Sequence, residues 1–245
     1  MKVLGIETAT LAGGIALMSD AGLIAEYRLH VEARHSQRIL VAVDHVLTES
    51  KTALSDLDAI AVSIGPGSFT GLRVGLATAK GLLMGIGKPI VLVPTLEAMA
   101  AAFPYSKMPV APFIHARRNE VYWAVFDLQE GAPRRLRPDT ASSPQEAVDQ
   151  MGELGAVIFV GDGAIKHRDL ILERKPGRAF FPPRALQFPS AAGVAEQGLL
   201  KLAKGEVTHP AEAVPVYLRP STAELKWSEG QGKMGPDLPI RADHA

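Results

Sequence analysis

A three-strand meander followed by helices alternating with strands, with the same order then begun again, predicts an α/β protein. The pattern is that of two tandem ribonuclease-H-like lobes, the actin-like ATPase architecture. Size and composition agree: 245 residues, 47% hydrophobic and 21% charged, suffice for two lobes with a buried core. No self-similarity links the two halves, so the predicted repeat rests on element order alone.

The first half reads strand by strand. Val3 to Glu7, Gly14 to Met18 and Leu23 to Leu29 are extended, broken at Gly13-Gly14 and at the Ser19-Asp20-Ala21-Gly22 turn. Ile39, Leu40, Val43, Val46 and Leu47 then follow a helical period, with Ser36 as N-cap. Ile60 to Ile64 is a buried strand, Thr70 to Met84 a helix, Pro89 to Val93 a strand and Leu96 to Phe103 a helix. The chain breaks at Phe103-Pro104-Tyr105, giving lobes of residues 1–103 and 104–219. In the second lobe Val110 to His115, Val121 to Asp127 and, more weakly, Arg134 to Pro138 read as strands. Pro144 to Met151 is a helix, Val157 to Val160 a strand and Ser190 to Ala203 a helix. Residues 220–245, rich in Gly, Pro, Lys and Glu with no apolar period, read as a disordered tail.

Composition removes several functions. Without cysteine there is no disulfide, thiolate nucleophile or cysteine-based zinc site. No two of the seven histidines stand three or four residues apart, and there is no HExxH, so a metallopeptidase is excluded. Lys plus Arg equals Asp plus Glu at 26 each, which argues against independent RNA binding, although a neutral total can hide a basic patch. No apolar run reaches the ~18 residues of a membrane span, so a soluble cytoplasmic protein with no membrane contact is expected.

Gly65-Pro66-Gly67-Ser68-Phe69-Thr70-Gly71-Leu72-Arg73-Val74-Gly75 joins a buried strand to a helix. Glycines there allow positive φ and close approach, and free amides at a helix start attract anions. Gly65, Gly67, Ser68 and Thr70 are therefore a candidate nucleotide or anion loop, with Ser68 or Thr70 capping the helix. A plain structural turn explains the same glycines. The stretch lacks the Lys-Ser or Lys-Thr of a Walker A loop and the spacing of a dinucleotide fingerprint. Behind it, Gly71, Gly75, Thr78, Ala79, Leu82 and Gly85 line one side of the helix. Each interior glycine costs about 0.5–1 kcal/mol against alanine, so another backbone or helix should approach that side, from within the chain or from a partner.

These stretches together carry a resemblance. Leu4-Gly5-Ile6-Glu7-Thr8-Ala9-Thr10, Arg34-His35-Ser36-Gln37-Arg38, Leu57 to Val62 with the glycine motif, Ala116-Arg117-Arg118-Asn119-Glu120-Val121-Tyr122, Gly161-Asp162-Gly163-Ala164 and Pro215-Val216-Tyr217-Leu218-Arg219 resemble, in order and spacing, the signatures of the TsaB (YeaZ) family. The resemblance covers residues 2 to about 220.

The resemblance implies a degenerate paralogue of TsaD, the transferase that forms threonylcarbamoyladenosine beside the anticodon of tRNAs reading codons that begin with A. The chain would be the non-catalytic partner and activator, paired with the TsaD-type protein through N-terminal lobes. A TsaE-type ATPase joins them, tRNA is reached only through the complex, and the chain forms a homodimer when the partner is absent. The helices carrying His35, Ile39, Leu40, Val43 and Leu47, and Gly71, Arg73, Gly75, Thr78 and Leu82, are the expected partner surface. ATP or ADP is expected at the interface with the partner if anywhere, with Arg73 clamping an anion or reaching a partner carboxylate. The catalytic relative's metal-binding His-x-x-x-His pair falls at Pro94 to Ala100, which has no histidine, so no catalytic or metal residue is expected. Glu7 and His115 stand where the family usually has Asp. The main alternative is an active actin-like-fold ATPase or kinase, which would need phosphate loops in both lobes and an acid pair.

Overall fold

The protein is represented by a computed structural model that describes residues 1–30, 35–117 and 119–220, with backbone alone at 35–37. The first run of elements is β1 (Lys2–Glu7), β2 (Ala12–Ser19), β3 (Gly22–His30), α1 (His35–Glu49), β4 (Ala59–Ser63), α2 (Phe69–Met84), β5 (Ile90–Val93) and α3 (Thr95–Ala100). The second is β6 (Val110–His115), β7 (Val121–Asp127), β8 (Arg134–Ser142), α4 (Pro144–Gln150), β9 (Val157–Val160), α5 (Asp162–Lys166), α6 (Arg168–Arg174), β10 (Ala179–Phe180) and α7 (Ala191–Ala203).

The order of the first sheet is β3-β2-β1-β4-β5 and of the second β8-β7-β6-β9-β10. In each, a meander supplies antiparallel pairs and two later strands add in parallel. The halves therefore share one topology despite unrelated sequences, as the element order predicts. Helices cover both faces of the central strands, which is why β1 and β4 are apolar almost throughout.

Leu4, Ile6, Ile15, Leu17, Ile60 and Val62 pack with Ile39, Val43 and Val46 of α1 and Leu76 and Leu83 of α2. The opposite face of the first sheet, through Val3, Ala59, Ala61, Val91 and Val93, meets Ala98 of α3 and Val194 of α7. Leu96, Met99 and Ala100 of α3 reach the second sheet at Val110, Ile114, Phe126 and Val160. Thus α3 and α7 form a layer between the two sheets. Glu97 of α3 ties that layer to Lys201 of α7 at 3.1 Å and to Arg135 of β8 at 3.6 Å. On the far side, Phe113, Trp123 and Phe159 pack with Ala147, Val148 and Ile171.

The lobes are not cut cleanly in sequence. The chain passes between sheets after β5, yet α7, from the half expected to form the second lobe, lies on β1, β2 and β4. Two glycines permit this contact. A Cβ at Gly5 would fall on the Ala191 carbonyl and sit 2.7 Å from the Ala195 nitrogen, and one at Gly198 would fall on the Ala61 Cβ. Smaller differences have local causes. β8 runs on past Pro138 because the register slips opposite Val125, and an edge strand tolerates proline there. α5, α6 and β10 are too short to show a period. Ser36 as a cap and the tail beyond residue 220 lie outside what the structure describes.

Gly5→Ala should lower stability by about 1–3 kcal/mol, because backbone on α7 cannot step aside. Gly81→Ala in α2, where an added Cβ meets nothing within 4 Å, should raise it by about 0.5–1 kcal/mol. Urea unfolding midpoints of the two variants should move in opposite directions.

Candidate functional site

The glycine motif is a strand-to-helix junction whose missing side chains are replaced by the chain's own backbone. Ser68 caps α2, its Oγ accepting from the Gly71 amide at 3.2 Å, and its own amide donates to the Ala9 carbonyl at 2.7 Å. Thr70 is exposed and does not cap. A Cβ at Gly67 would meet the Ala9 carbonyl at 2.5 Å, one at Gly71 would fall on the Thr8 carbonyl, and one at Gly75 on the Thr8 hydroxyl. That hydroxyl donates to the Gly71 carbonyl at 2.9 Å. Gly65, at φ +121°, leaves room for the Val216 carbonyl, and its amide donates to Thr95 Oγ1 at 3.2 Å.

The C-terminal stretch meets this junction. The Val216 amide donates to the Ile64 carbonyl at 2.8 Å, and Tyr217 stacks on Phe69 with centroids 4.3 Å apart. Arg73 joins both: its guanidinium lies 3.9 Å over the Phe69 ring and its Nε donates to the Tyr217 hydroxyl at 3.0 Å. Arg219 then pairs with Glu120 on the β6–β7 turn at 2.5 Å, carrying the strap to the second lobe. Nothing in the spacing of the two motifs indicates that they meet.

The expected partner set therefore divides. Gly71 and Gly75 face Thr8 inside the lobe, and Ile39 and Val43 belong to the core, so these four are internal packing positions rather than surface. Leu47, Thr78 and Leu82 are half-buried, and Arg73 is exposed but held by Phe69 and Tyr217. Leu40 stands out into solvent at 58% exposure, with Val41 at 68% and Met84 at 86%, two positions the sequence reading did not single out. Beside Val41 an open groove is lined by Tyr27, Ala42, Asp44, His45 and Thr48. The side chain of His35 lies outside the described residues.

At the end of β1, Glu7 is fully buried. Its Oε1 accepts from the Ala9 amide at 2.6 Å, while Oε2 is buried with no hydrogen-bond partner among the described residues. Burial raises its pKa to about 7, against the opposing effects of the Ala9 amide, the Ser63 hydroxyl and the charge of Arg28. In the second lobe, Asp162 Oδ1 accepts from the Gly163 and His115 amides, each at 2.8 Å, and the Gly161 amide donates to Gln187 Oε1 at 3.1 Å. His115 projects outward with Lys166 Nζ 3.1 Å from its Nε2, and partial burial together with that charge lowers its pKa.

In both lobes, then, glycine-turn amides already donate within the chain, and the acid on β1 is directed at its own backbone. Among the described residues no three His, Cys, Asp or Glu side chains converge as a metal site, and no helix is long and apolar enough to cross a membrane.

Two like-ordered mixed sheets with helices between and outside them define an actin-like protein of the ribonuclease-H-like class. A component of (R)-2-hydroxyglutaryl-CoA dehydratase from Acidaminococcus fermentans shares this fold, with a TM-score of 0.50 at 13% identity over 83% of this chain and 99% of that one. The family described as "TsaD: tRNA N6-adenosine threonylcarbamoyltransferase" matches residues 29–227. The tRNA threonylcarbamoyladenosine biosynthesis protein TsaB of Bacillus subtilis is 32% identical over 94% of this chain and 100% of its own length. That of Escherichia coli is 34% identical over 95% and 100%. YeaZ from Pseudomonas aeruginosa superposes with a TM-score of 0.76 at 29% identity, covering 89% of this chain and 99% of that one. The chain belongs to the TsaB (YeaZ) family.

Glu7 gives this site a pH signature. Its folded pKa lies above the ordinary value of 4.5, so the native state binds more protons than the unfolded state between the two values. The stability it contributes is complete below about pH 4.5 and is lost as pH rises through about 7. Glu7→Gln, which stays neutral, should therefore gain on the wild type by about 2–3 kcal/mol between pH 5 and pH 8. Urea titrations across that range should show the gap opening with pH; a constant gap would contradict the assignment.

Proposed function

We propose that the chain acts in the formation of threonylcarbamoyladenosine in tRNA as the non-catalytic partner and activator of a TsaD-type transferase. The carrying observation is end-to-end similarity to proteins named for that biosynthesis. Two features support a partner role. Pro94 to Ala100, where the catalytic relative has its metal-binding histidine pair, has no histidine. Leu40, Val41 and Met84 expose large apolar side chains on α1 and α2, the outer helices of the first lobe, and contact of such residues with a partner removes them from water.

The proposed pairing therefore uses Leu40, Val41 and Met84, with the flanks of Thr78 and Leu82, rather than the inward glycines. The same face serves a homodimer in the partner's absence. A TsaE-type ATPase joins the pair, and tRNA is engaged through the assembly. The rival reading, an autonomous ATPase or kinase, finds no support in loops whose amides are engaged by Ala9, Thr95, Asp162 and Gln187.

Leu40→Asp combined with Met84→Asp should weaken pairing with the TsaD-type protein at least about tenfold, because buried apolar anchors carry much of the energy of such contacts. Circular dichroism should be unchanged, since both side chains are exposed in the free chain. Modified adenosine should form with both proteins and not with this chain alone. Normal pairing of the double variant by calorimetry rejects the surface, and product formed by this chain alone rejects the non-catalytic role.

A further inference from the structure

We propose that residues 182–188 form a latch between the two lobes, held by Gln187 to the turn at Gly161 and by Arg28 to β3, that keeps the lobes in one relative orientation. The inference stands apart from the proposed function, since it needs neither a partner nor tRNA. On the second lobe, Gln187 is 4% exposed and both ends of its carboxamide are used. Its Oε1 accepts from the Gly161 amide at 3.1 Å, and its Nε2 donates to the Pro182 carbonyl at 2.9 Å. On the first lobe, Arg28 Nη2 donates to the Phe188 carbonyl at 2.9 Å and Nη1 to the Ala185 carbonyl at 3.4 Å. His30, also on β3, packs its ring against Phe188 with centroids 4.2 Å apart. Adjacent residues therefore grip different lobes: Gln187 holds Gly161, and Phe188 is held by β3.

The segment between these grips is stiff. Prolines at 182, 183 and 189 fix φ on either side. Arg184–Leu186 is a 3-10 turn, closed by the Leu186 and Gln187 amides donating to the Pro183 and Arg184 carbonyls at 3.0 and 3.3 Å. Withdrawing Gln187 would strip the buried Gly161 amide of its acceptor, and that cost keeps the latch shut. Its position gives leverage. β3 is an edge strand, whereas α7 lies mainly on β1, β2 and β4 of the same sheet. Two-lobed proteins close on ligands by hinge motion about a joining layer. A second tie at the edge of the sheet removes that rotation.

Pulsed dipolar EPR on the full chain tests the latch. The sequence has no cysteine, so Glu49→Cys and Glu173→Cys, exposed positions on α1 and α6, carry the only two spin labels. The otherwise unaltered chain should give one narrow distance that magnesium-ATP does not move. Gln187→Ala and Arg28→Ala, which cut opposite ends of the same link, should each broaden or shift it by more than its own width. Arg134→Ala, which removes an ion pair with Asp127 inside the second lobe, should leave it unchanged. Urea midpoints and circular dichroism accompany each variant, and if Gln187→Ala fails to fold, Arg28→Ala decides. A broad distribution before any latch substitution, a peak that moves with magnesium-ATP, or a folded Arg28→Ala chain with the original narrow distance overturns the proposal.

Discussion

The docking of Thr8 against α2 is the constraint on which the junction of β1, α2 and the Val216–Tyr217 segment depends. The residue leaves β1 and puts its carbonyl and hydroxyl where Gly71 and Gly75 have no Cβ, with the hydroxyl bonded to the Gly71 carbonyl. Ala9, next along, takes the Ser68 amide and fills the space at Gly67. The start of α2 is thereby fixed to the end of β1. Phe69 and Arg73, one turn apart on that helix, stand where Tyr217 can reach both. The glycines serve this close approach, and their cost in helix propensity is offset by contacts that any side chain would prevent.

This geometry separates what the sequence shows from what it hides. Strands such as Val157–Val160 and the meander of the first lobe were legible because period and turn residues are local properties. The repeated topology was legible for the same reason, since the order of elements survives when sequence identity does not. The use of the glycine motif was not legible, because loops that approach a ligand and loops that approach their own chain require the same residue. The apolar stripe of α1 posed a similar ambiguity. Ile39, Leu40 and Val43 share one hydrophobic pattern, yet Ile39 and Val43 enter the core and Leu40 faces solvent. Only the position of the sheet decides between them. The contact of Arg73 with Tyr217 joins residues 144 apart, which no period or spacing predicts.

The two acids that stand at the glycine turns illustrate how a fold can retain a shape while redirecting its polar groups. Glu7 accepts from Ala9 beside it, and Asp162 draws in two amides of its own lobe. Both carboxylates accept hydrogen bonds from nearby backbone amides. Glu7 does so at a cost, because one oxygen is left buried without a partner and its charge is disfavoured.

The return of α7 to the first sheet bears on how the protein is made. A ribosome delivers β1 and β4 early, but α7, which covers one of their faces, and the Val216 segment that closes over Gly65 are made well after them. Until then Val3, Ala61 and Val91 lack the apolar cover that Val194 provides. The first sheet therefore gains its full apolar cover only once α7 has been made, through contacts of high sequence separation.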